Sequence, residues 1–109
     1  DRWFTMPGVV AIIVTGVEDS EMEQARTIAL TLFERDLVSA LTPPGHNFIV
    51  SFAVFPSGSG AGREASKKHD AAVNVFVKKL RELSLDFVVV HWSDNDDPEI
   101  ADSHAAQRA

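Results

Sequence analysis

The chain contains no cysteine and no tyrosine. Without thiols there are no disulfides, no thiolate metal sites and no cysteine nucleophiles. The missing phenols remove one common acid–base group. Basic residues are scarce as well: 10 Lys and Arg stand against 16 Asp and Glu, for a formal charge of −6. That balance argues against adhesion to nucleic acid or to an anionic membrane through the surface as a whole. No apolar run approaches the ~20 residues that span a bilayer. The first residues lack the basic start and apolar stretch of a secretory leader. The expectation is a soluble chain, cytoplasmic by default.

What is present is an ordinary globular mixture. The 109 residues are 45% hydrophobic and 24% charged, which suits one domain with one core. Residues 1–8 read as an N-terminal extension and 9–92 as a single domain. Residues 93–109 read as an acidic, polar tail whose one large aliphatic is Ile100.

Residues 9–15 are β-branched and apolar on both faces, the pattern of an interior strand. Ser20 and Glu23 stand at capping-box spacing. The helix that follows places Met22, Ala25, Ile28, Ala29, Leu32 and Phe33 on one stripe. Residues 47–55 form a second apolar strand. Residues 37–42 read as a short partner to it across the turn Pro43-Pro44-Gly45-His46. Residues 63–83 form a second helix with Ala65, Ala72, Val73, Phe76, Val77, Leu80 and Leu83 on its apolar stripe. Residues 86–92 are a last apolar strand.

The order strand, helix, strand, strand, helix, strand is the split β-α-β pattern, so the expected fold is an α+β, ferredoxin-like βαββαβ two-layer sandwich with both helices on one face. If 37–42 instead extends the first helix, the alternative is a three-stranded βαβαβ α/β arrangement. Either way alternate side chains of each strand point to opposite faces, and both sets are largely apolar. A helix-free face then remains to be covered by a second copy, another protein, a ligand, or the chain's own ends around Trp3, Phe4 and Ile100.

Chemistry-bearing motifs are sparse. Gly58, Gly60 and Gly62 lie between a strand and a helix that carries Arg63 and Lys67, which suits a weak anion site. The spacing matches neither the dinucleotide fingerprint nor the P-loop, and a plain Ser/Gly connector is the simpler reading. The helix holds six cations between Arg63 and Arg81. They suit an anionic partner, a solvated face, or a charge match with the acidic tail. Asp94, Asp96, Asp97 and Glu99 lack the pattern of a calcium loop, and no histidine pair has zinc-site spacing. No metal, cofactor or catalytic set is assigned.

RNA-binding domains of this topology use aromatics on the central strand, but their basic, glycine-containing signature is missing here. A nucleic-acid partner is therefore not expected. The expected interface or pocket residues are Phe48, Val50, Phe52, Val89, His91 and Trp92. The leading functional expectation is a non-catalytic assembly module that self-associates or binds another protein through the apolar sheet face. A small apolar ligand or cofactor-free enzyme pocket on that face is the alternative. A phosphate or nucleotide sensor built on the glycine loop is the third.

Overall fold

The computed structural model describes residues 6–42, 46–55, 60–93 and 96–105. Their order is β1 (Gly8–Thr15), α1 (Asp19–Leu32), a 3₁₀ turn (Arg35–Leu37), β2 (Phe48–Val54), α2 (Ala61–Glu82), β3 (Asp86–Ser93) and β4 (Glu99–His104). The strands make one four-stranded antiparallel sheet in the order β2-β1-β3-β4. With the two helices this is a small α+β domain consistent with a two-layer sandwich. The antiparallel pairing excludes the three-stranded α/β alternative.

Strand alternation builds the core. Val10, Ile12 and Val14 of β1 are buried, as are Phe48, Val50, Phe52 and Val54 of β2 and Phe87 and Val89 of β3. They meet Met22, Ala25 and Ala29 from α1 and Ala72, Val73, Phe76, Val77 and Leu80 from α2 in one cluster. The central position of β1 follows from its composition: a β-branched strand with Val10, Ile12 and Val14 fully buried needs a partner on each edge. Gly8 opens this strand where a side chain has no room. A methyl there would overlap the Trp92 carbonyl oxygen and come within 2.9 Å of the Ser93 Cα.

Three expectations are corrected. Residues 37–42 form no strand. The 3₁₀ turn uses the Leu37 and Val38 amides, and only the isolated bridges Val38↔Val50 and Thr42↔Asn47 follow. The reason lies at Ser39. Its amide donates to the Ile49 carbonyl at 2.9 Å, but its own carbonyl accepts from Arg26 Nε at 2.8 Å. The Ile49 amide donates instead to the Ser39 hydroxyl at 2.8 Å, so a side chain replaces the ladder bond at this point. The capping box is also absent: Glu18 is the N-cap of α1 and makes no side-chain cap bond.

The third correction concerns 93–109, read as a tail. Residues 99–104 are β4, paired antiparallel with β3 across a register shift at Val89/Val90. The apolar pattern of an interior strand is missing because β4 is an edge strand with mostly exposed side chains. Backbone pairing holds it, together with polar contacts. Arg81 of α2 donates to the Asp102 carboxylate and lies 5.4 Å from the centre of the Phe87 ring. The His104 Nδ1 is 3.1 Å from the Leu85 carbonyl. This contact carries the charge match between basic helix and acidic C-terminal stretch. Arg81→Ala is expected to speed amide exchange across residues 99–104. The urea midpoint should move little, because a surface pair contributes below ~1 kcal/mol.

Candidate functional site

The side of the sheet opposite the helices is the largest feature left unexplained by the core. Its exposed members are Val9 (47%), Ile49 (41%), Trp92 (44%) and Ile100 (68%), with Phe55 (50%) just beyond β2. Ile13, Val88 and Val90 lie half-buried between them. The register makes these one surface. Val9 is opposite both Ala53 and Trp92, and Ile13 is opposite both Ile49 and Val88. Val90 is opposite Ile100. Among the described residues of the four strands, the polar positions on this face are Thr15, Ser51, Asp86 and Ser103, of which only Asp86 carries a charge. Covering each large apolar side chain is worth ~1.5–3 kcal/mol at full burial, and monomeric proteins rarely leave large continuous apolar patches in water.

Of the residues expected on the open face, only Trp92 is there. Phe48, Val50, Phe52, Val89 and His91 are buried on the helix side. The error has a physical origin: both alternation sets are apolar, so periodicity separates them without saying which one the helices cover. One signal was available in β2. Its Ile49, Ser51, Ala53 set is smaller and more polar than Phe48, Val50, Phe52, Val54, and the bulkier set fills the core.

At one end of the open face, Ile13, Thr15, Asp86, Val88 and Ala105 border a shallow depression of about 240 Å³. Trp92 stands at the opposite end of β3, six positions away from Asp86.

Two histidines are buried beneath the helices. The His91 Nδ1 lies 3.9 Å from a Glu99 carboxylate oxygen, and the side chain is buried on the side of β3 away from the open face. His69 packs at 4.4 Å from the Phe52 ring centre, and its Nε2 is 3.3 Å from Glu34 Oε2. A carboxylate only accepts, so this nitrogen is the donor. Lys68 reaches the other oxygen of Glu34 at 3.3 Å. The Glu34 carboxyl is held well below its ordinary 4.5, at about 2, first by a backbone hydrogen bond and then by His69 and Lys68.

This cluster ties α2 to the segment after α1. Because the folded-state value is depressed, its stabilising contribution is complete above about pH 4.5 and is lost as the pH falls toward 2. Melting temperatures measured down this range should fall less steeply for Glu34→Gln than for the parent chain.

Gly58 lies outside the described residues. Gly60 is the N-cap of α2 with φ +64°, a backbone that L residues rarely adopt. Gly62 faces the Phe55 side chain, with 3.5 Å from the position of its missing Cβ to that of Phe55. Arg63 and Lys67 are exposed. In the acidic run, Asp94 is outside the described residues. Among the described residues no three ligating side chains come close enough to hold a metal ion, and no helix is long and apolar enough to cross a membrane. No protein-family model, curated protein or solved structure matches the chain.

Proposed function

We propose that this domain is an assembly module whose helix-free sheet face packs against the same face of a second copy. The observation that carries the reading is the continuous patch of Val9, Ile13, Ile49, Val88, Val90, Trp92 and Ile100 across the four strands. Its charge selects the occupant. A nucleic acid or acidic partner needs cations, and a basic partner needs several carboxylates; among the described strand residues this face offers Asp86 alone. A second copy brings an equally neutral, apolar surface despite the net charge of −6.

The flat area is that of a small, weak interface. Four strands spaced ~4.8 Å apart, at ~3.4 Å per residue, present on the order of 450 Å² of plane before side-chain relief. Two such faces approach the low end of the ~1,200–2,000 Å² buried in stable complexes. The depression beside Asp86, at about 240 Å³, falls short of the ~300–1,000 Å³ typical of small-molecule sites, which favours a side chain over a small molecule as its occupant.

The fold reading that accompanies this is ferredoxin-like. Two observations support it: the bridge Val38↔Val50 sets the segment after the 3₁₀ turn beside β2, on the edge that the second strand of that topology occupies, and β4 lies at the opposite edge of the sheet. Sedimentation across a concentration series tests the assembly reading: a mass near twice 11.9 kDa is expected, and a monomer at every concentration overturns it.

A further inference from the structure

The open face has a knob at one end and a hole at the other, and both lie along β3. The knob is Trp92, a large side chain 44% exposed although it sits within a paired strand. The hole is the depression of about 240 Å³ bordered by Ile13, Thr15, Asp86, Phe87, Val88, His104 and Ala105. It is smaller than a small-molecule pocket but of a size for one large side chain, and its walls are chiefly apolar. Thr15 and Asp86 add oxygen acceptors at its border, and an indole carries a single N–H donor that must be satisfied when buried.

Resting on the self-association reading, we infer that Trp92 of each copy inserts into the Ile13–Asp86 depression of the other. Symmetry makes this geometrically consistent. Two sheets meeting face to face are related by a two-fold axis lying in the contact plane. An axis running across the strands reverses strand direction and keeps β3 over β3. The Trp92 end of one β3 then lies over the Asp86 end of its partner's β3, and both knobs meet both holes at once. An axis along the strands instead exchanges β1 with β3. It sets Trp92 over the partner's Val9, beside Ala53, and leaves both depressions empty. Only the first arrangement fills the concave part of the surface with an exposed aromatic of the same strand, and filled aromatic anchors dominate interface energetics.

The chain's lack of cysteine allows a direct test. A tryptophan-free copy (W3F/W92F) carries a nitroxide at A105C or, separately, at A53C; both alanines are exposed. Each is mixed with a W3F copy, so that Trp92 of the unlabelled chain is the sole emitter, and sedimentation is run on the same samples. The expected result is dimer formation with strong quenching from position 105 and little from position 53. In addition, W92A should weaken association at least ~30-fold. A dimer in which position 53 quenches as much or more, or in which neither position quenches, overturns the knob-in-hole packing and leaves the assembly reading standing. A monomer in all mixtures overturns both.

Discussion

Phe76→Ala is expected to destabilise the domain by ~3–5 kcal/mol. Phe76 is fully buried on α2. It meets Phe33 edge-on at 5.7 Å and Phe48 at 6.4 Å, so one ring joins the segment after α1 to the sheet. Removing it forfeits the transfer energy of the ring and opens a cavity. The neighbours cannot easily collapse into it, because Phe33 is already stacked on Phe52 at 5.8 Å. A domain of this size has only ~5–15 kcal/mol in total, so the loss removes a large share of the folded-state margin. Urea unfolding should show a lower midpoint with an unchanged slope. The neighbouring Val75 points outward, and Val75→Ala should leave the midpoint nearly where it was. Equal effects from the two substitutions would mean that α2 is rotated relative to the sheet.

Ile49→Lys is expected to weaken self-association by at least ~100-fold while leaving the monomer folded. Ile49 is 41% exposed on the open face, and its amide and carbonyl are already engaged by Ser39. The monomer therefore loses little when the side chain changes. In a face-to-face dimer the lysine ammonium must be desolvated against an apolar surface, at a cost of several kcal/mol; ~2.8 kcal/mol already corresponds to 100-fold. The long stem allows some escape to the rim, which is why 100-fold is a lower bound rather than a complete block. Sedimentation gives the association constant, and circular dichroism monitors the fold. Lys67→Glu, on an exposed position of α2, is the matched control and should associate as the parent does. An Ile49→Lys chain that dimerises normally would move the interface off the sheet.

Much of the architecture can be read from the residues in order. The β-branched run at 9–15 has no plausible home except the middle of a sheet, and the stripe from Ala72 to Leu80 must lie against something apolar. His69 falls beside that stripe and is accordingly packed in the core, against Phe52. The errors sit where local pattern is mute. The Ser39 hydroxyl standing in for a ladder group, with Arg26 claiming the Ser39 carbonyl, depends on a helix side chain 13 residues away. The strand at residues 99–104 carries no apolar signal, since its place is held by backbone pairing and by Arg81.

Composition and periodicity by themselves determined that this chain forms one α+β domain, that two helices are amphipathic, and that a sheet apolar on both faces has one face too many. Those properties follow from spacing along the chain, which translates directly into direction around a helix or strand. Which face the helices cover, and therefore that Val9, Ile49 and Trp92 remain outside while Phe48, Phe52 and His91 go inside, was decided only by tertiary packing. Alternation defines two faces but is symmetric between them. The choice is made by which set of side chains fills the space under α1 and α2 without voids, and that depends on all the elements at once.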